Sequence, residues 1–110
     1  MKVLTLLSTA LAAVAFSLPV AAQDADAAQK LLKAENCTKC HSVDKTKKGP
    51  SFQKTAAKYK GKSDAEAKLI DVVTKSPKVK LDDGTEEEHK VIKTKDPAEL
   101  KNLAQWILAH

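Results

Sequence analysis

Five consecutive residues, Cys37-Thr38-Lys39-Cys40-His41, constrain this chain more than any other feature, because they set two thiols two residues apart with a histidine immediately after. Each thiol of such a pair adds across one haem vinyl group as a thioether, and two intervening residues let one helical turn reach both vinyls. Cys37 and Cys40 are the only cysteines of the 110-residue chain. The spacing therefore implies one covalently attached c-type haem, with both cysteines as attachment points and His41 beneath the iron as proximal ligand. A dithiol redox pair competes with this reading, but it calls for a strand-helix-strand setting that the flanking residues lack. Zinc needs four ligands, and the adjacency of Cys40 and His41 suits one tetrahedral ion poorly. A disulfide across two residues would be strained.

Lys2 precedes a largely apolar run from Val3 to Val20, and Val20-Ala21-Ala22 stands before Gln23. This pattern reads as a cleaved secretory leader over residues 1–22, with an export address compatible with covalent haem attachment. A membrane anchor is the alternative, weakened by the serines, threonines and Pro19 within the run. Removing 22 of 110 residues leaves 88, residues 23–110, enough for one domain, with no later apolar stretch long enough to span a bilayer. A soluble, periplasmic protein is expected. So short a chain buries a limited share of its surface and needs a staple. With only Phe52, Tyr59 and Trp106 as aromatic residues beyond the leader, the haem itself is expected to fill the centre of the core, leaving the apo chain poorly folded.

All 19 basic residues are lysine; without Lys2 there are 18 against 14 acids, an excess of four. Missing arginines and sparse aromatics argue against nucleic acid as a partner. Lysines suit transient docking onto an acidic redox protein, and equally a solvated surface that keeps a small protein soluble.

Asp24 is placed to cap a helix through Ala27, Ala28, Leu31, Leu32 and Glu35 that leads straight into the cysteine motif. Gly49-Pro50 closes a polar loop, and Ser51 to Lys58 follows as a short helical segment with Phe52 and Ala56 inward. Ser63 and Glu66 form a capping box for a third helix with Ala67, Leu69, Ile70 and Val73 as its apolar stripe, stopped by Ser76-Pro77. Lys78 to Lys95 show no sustained period and read as a long loop. Asp96-Pro97-Ala98-Glu99 then opens an amphipathic last helix through Leu100, Leu103, Ala104, Ile107 and Leu108.

Taken with Gly49-Pro50-Ser51-Phe52, Ala56-Ala57-Lys58-Tyr59-Lys60-Gly61 and Leu103-Ala104-Gln105-Trp106-Ile107-Leu108, the haem motif makes the chain resemble a small bacterial class I c-type cytochrome with one haem. The resemblance implies an all-α fold in which the first and last helices cross and pack while loops wrap the haem. It also implies that the Pro50 carbonyl accepts a hydrogen bond from the imidazole of His41, raising its basicity. The family usually supplies a methionine as second axial ligand from the loop before the last helix. Here the only methionine is Met1, lost with the leader. His89, 17 residues before Trp106, lies in the corresponding segment and is the expected sixth ligand. His110 would have to fold back from the end of its own helix, and Lys90 or Lys93 would have to lose a proton.

The function so implied is a one-electron carrier rather than an enzyme, since the short chain shows no acid-base set beyond His89. Ligation by His41 and His89 would lower its potential relative to methionine-ligated relatives. It would work as a monomer and dock transiently on redox partners through lysines near the haem edge. The alternative is a haem protein whose sixth position opens to a small gas or anion, for which the long charged loop would have to move. Glu86-Glu87-Glu88 reads as a solvated run, or as acids that further favour the ferric state.

Overall fold

Four helices and one short hairpin follow one another along residues 23–110, which the computed structural model describes together with residues 13 and 14. The rest of the leader expected over residues 1–22 lies outside the described residues. Helix α1 (Ala25–Ala34) starts as expected at Asp24, whose carboxylate accepts the Ala27 N–H at 3.0 Å and satisfies a donor that has no partner inside the helix. Ala28 and Leu32 are its buried residues, four apart on one face, while Ala27 is exposed. The helix does not run into the haem motif. Asn36 turns left-handed at φ 58°, and Cys37–Lys39 form a separate 3₁₀ turn.

Helix α2 (Phe52–Tyr59) is capped by Ser51, whose hydroxyl accepts the Lys54 N–H at 3.1 Å, and it buries Phe52 and Ala56. Helix α3 (Ala65–Lys75) lacks the expected capping box: Asp64 occupies the cap position with no side-chain bond, and Glu66 reaches across to Gln105 at 3.2 Å instead. Its buried residues are Ala65 and Leu69, with Ile70 and Val73 packed at the margin and Ala67 exposed. Ser76, at φ 51°, ends it before Pro77.

Residues 78–95 are not wholly a loop. Strands β1 (Lys78–Lys80) and β2 (Glu86–Glu88) pair antiparallel, with Lys78 opposite Glu88 and Lys80 opposite Glu86. The fold is thus mostly helical with a small two-stranded sheet. Opposite charges across the strands favour the pairing. The turn is closed by Asp83, which accepts from the Thr85 N–H at 2.9 Å, and by Gly84, whose φ of 85° favours glycine.

Helix α4 (Pro97–Leu108) carries the centre of the core, with Leu100, Leu103, Ala104, Trp106 and Ile107 buried, and packs on α1, α2 and α3. Its start is capped by Asp96, which accepts the Ala98 N–H at 2.9 Å. Glu99 closes the box indirectly: it takes the Thr94 hydroxyl, and the Thr94 oxygen accepts the Asp96 N–H at 3.2 Å. The first and last helices pack as expected and are pinned by a reciprocal pair. Asp24 N–H donates to Asn102 Oδ1 at 2.6 Å, and Asn102 Nδ2 donates back to the Asp24 carbonyl at 2.8 Å.

Candidate haem site

Cys37 opens the 3₁₀ turn and Cys40 caps it, so both thiols stand on one turn, free and half-buried. Burial pushes the Cys37 thiol above its usual value, Lys90 opposes that shift and Glu35 adds to it, so both charges act on the haem turn. The loop that follows folds back onto this turn. Gly49 N–H donates to the Cys40 carbonyl at 2.8 Å, and Lys47 Nζ donates to the Thr38 carbonyl at 2.9 Å. This return brings Pro50 to His41, whose Nδ1 donates to the Pro50 carbonyl at 2.7 Å. With Nδ1 acting as donor, Nε2 is left as the acceptor nitrogen that a metal binds.

Gly49 is required by the same approach. A Cβ at this position would lie 2.5 Å from Cε1 of His41 and 2.9 Å from Nδ1, closer than any real side chain sits. On its other side the His41 ring stacks on Phe52 at 5.6 Å between centroids, and Phe52 meets Trp106 edge-on at 5.6 Å. The core of α2 and α4 thereby backs the imidazole and holds its plane.

His89 follows β2 and comes to the same place. Its N–H donates to the Pro77 carbonyl at 2.9 Å, and its own carbonyl accepts from the Ser76 hydroxyl at 2.8 Å, so the end of α3 fixes its backbone. Its Nδ1 donates to the Lys90 carbonyl at 2.9 Å, again leaving Nε2 free to bind a metal. Burial pushes the His89 imidazole below its usual value, which favours the neutral form that coordinates. The His41 and His89 rings stand 6.2 Å apart between centroids at an interplanar angle of 37°. Two imidazoles on opposite sides of one metal ion, each bonded at about 2.0–2.1 Å, have ring centres roughly 6.3 Å apart. The residues present therefore fit a haem.

The other sequence candidates lie elsewhere. His110 Nδ1 donates to the Trp106 carbonyl at 2.9 Å, at the end of its own helix. Lys90 Nζ donates to the Glu35 carbonyl at 2.5 Å and is engaged there. In the acidic run, Glu87 pairs with Lys48 at 2.7 Å, joining the loop of Gly49 to the strand before His89. From the sequence, Gly49 reads as loop punctuation and as part of the Gly49-Pro50-Ser51-Phe52 motif, with no role toward the imidazole, and Glu35 reads as a helix residue. The contact of Gly49 with the imidazole has no sequence signal beyond its place before Pro50.

Comparison with known proteins agrees with this geometry. The family profile described as cytochrome c matches residues 25–110. Cytochrome c-551 of Azotobacter vinelandii is 35% identical over 85 residues, covering 74% of this chain and 95% of the relative. Cytochrome c-551 of Pseudomonas denitrificans is 35% identical over 80 residues, covering 73% and 93%. Among solved structures, the class 1 cytochrome MtoD of Sideroxydans lithotrophicus ES-1 superposes with a TM-score of 0.76 at 57% identity, covering 80% of this chain and 97% of the other. Cytochrome c552 of Nitrosomonas europaea gives 0.58 at 33% identity, covering 77% and 96%. The Cys37-Thr38-Lys39-Cys40-His41 turn, the helices that pack behind it and these relatives together show that the chain belongs to the cytochrome c family, as a monohaem class I member carrying one covalently attached haem c.

Proposed function

We propose that this cytochrome is a periplasmic one-electron carrier, not an enzyme, whose iron is ligated by His41 on the proximal side and His89 on the distal side. The separation of the two rings, 6.2 Å, is the observation that carries the reading. It is supported by the absence of any methionine other than Met1. The haem supplies the one-electron couple when bound. The chain's part is to hold the ligands still, so that little rearranges on electron transfer. Pro50 fixes the orientation of His41 and raises its basicity, and the Lys90 carbonyl does the same for His89. Imidazole in place of methionine favours the ferric state, which sets the potential below that of methionine-ligated relatives.

Export follows from the leader reading of residues 1–22, whose cleavage leaves residues 23–110 as the working domain. No helix among the described residues is long and apolar enough to cross a membrane. The carrier acts as a monomer and docks through surface lysines, long-range attraction speeding a short-lived encounter.

The test is the visible spectrum of the haem-loaded protein, ferric and ferrous, with and without carbon monoxide. Low-spin spectra in both states and no carbon monoxide shift are expected. A high-spin ferrous form that takes up carbon monoxide would replace this reading with a ligand-binding haem protein.

A further inference from the structure

Among the described residues Glu35 is the one charged residue that is buried, at 6% exposure. Burying a carboxylate is unfavourable unless its oxygens are hydrogen-bonded. Oε2 of Glu35 accepts the Lys93 N–H at 3.1 Å, and the Glu35 carbonyl accepts from Lys90 Nζ at 2.5 Å. Both donors lie in the segment that follows His89, 55 and 58 residues further along the chain. Glu35 itself stands two residues before Cys37, at the end of α1. One residue thus bonds the start of the haem turn to the segment that carries the distal imidazole.

That segment has little else to hold it. Lys90, Val91 and Lys93 are exposed, and only Ile92 is buried, its N–H donating to the Val73 carbonyl at 2.8 Å. The ring of His89 is oriented by the Lys90 carbonyl, so displacement of Lys90 moves the acceptor on which the ring depends. Stretches with few buried apolar contacts open most readily, and here a buried carboxylate substitutes for the missing contacts.

We propose that Glu35 is the positioning residue for His89, holding residues 90–93 against the end of α1 so that the sixth position stays closed. The proposal rests on the reading that His89 is the sixth ligand. Carbon monoxide reaches ferrous iron only after His89 leaves it, so the rate of uptake reports how often the distal segment opens.

The experiment uses the haem-loaded protein and its E35A, E35Q, K90A and H89A variants, each reduced and mixed with carbon monoxide, with stability to urea measured alongside. H89A separates the two claims: if it keeps a low-spin ferrous spectrum without carbon monoxide uptake, the ligand reading fails and takes this proposal with it. If H89A binds carbon monoxide, E35A is expected to bind it at least about tenfold faster than the parent, the factor set by losing one charge-assisted hydrogen bond. E35Q keeps an acceptor for the Lys93 N–H and is expected to stay within about threefold of the parent. The proposal is overturned if E35A stays within about twofold of the parent, if E35Q opens as much as E35A, or if the acceleration matches the loss of global stability to urea. Should E35A fail to retain haem, K90A decides through the clamp's other bond, the one to the Glu35 main-chain carbonyl: faster uptake supports the hold of the α1 end on residues 90–93, and a parental rate overturns it.

Discussion

The imidazoles of His41 and His89 face one another at 6.2 Å although 48 residues separate them in the chain, and each ring donates its Nδ1 proton to a backbone carbonyl, of Pro50 and Lys90 respectively. Both Nε2 atoms are thereby left as acceptors, the state in which an imidazole binds a metal. His89→Ala is expected to give a high-spin ferric spectrum and a ferrous form that binds carbon monoxide. His89→Met should retain a low-spin spectrum and raise the midpoint potential, read by a spectroelectrochemical titration. An unchanged potential in the methionine variant would show that His89 is not on the iron.

Gly49 sits against the His41 ring with no room for a methyl group, since its Cβ would meet Cε1 at 2.5 Å. The loop is tied to the haem turn by the Gly49 N–H, so it has little freedom to retreat. Gly49→Ala is expected to destabilise the protein by about 1–3 kcal/mol, as overpacking does. The loss should show in urea unfolding, together with a change in the ferric spectrum as the Pro50 bond to His41 loosens.

Asn102 joins the first and last helices through two hydrogen bonds to the backbone of Asp24. Asn102→Ala removes both and should lower stability by about 1–2 kcal/mol in urea unfolding. Neither bond involves the haem turn or His89, so the visible spectrum should match the parent's. A spectral change would mean that the helix crossing reaches the ligands.

Lys48 and Glu87 are each about half exposed, with side-chain values of 50% and 48%, so their 2.7 Å ion pair is screened by solvent. Lys48→Ala should weaken the protein only slightly at low salt, and the difference from the parent should vanish near 1 M salt, where charges are screened within about 3 Å. A difference that survives high salt would point to packing by the lysine stem rather than to charge.

Where helices begin and end was largely legible from local chemistry. Asp24, Ser51 and Asp96 all cap as their side chains imply, because a cap bond is made within three residues of chain. The third helix was read one residue early at its cap, since a Ser63 box competes with whatever Glu66 can reach in space, and Gln105 on α4 is what it reaches. The hairpin of residues 78–88 is not legible in the sequence because Val79 is the one apolar residue of its two strands, the rest being lysine and glutamate, without the repeated alternation that marks a half-buried strand. A turn such as Asp82-Asp83-Gly84 between runs of opposite charge was the available signal.

The haem and its two attachment cysteines, with the histidine that follows them, were legible in five adjacent residues, because covalent attachment demands a fixed local spacing that no distant part of the chain can alter. The missing methionine was equally a property of composition. The sequence could name His89 as a candidate, but only tertiary structure brings its ring to His41. His89 lies between the end of α3, the pairing of β2 with β1, and the Lys93 N–H bond to Glu35 at the C-terminal cap of α1, contacts separated by up to 58 residues. Such meetings depend on how four helices pack, and packing is a sum over many distant side chains that no local pattern records.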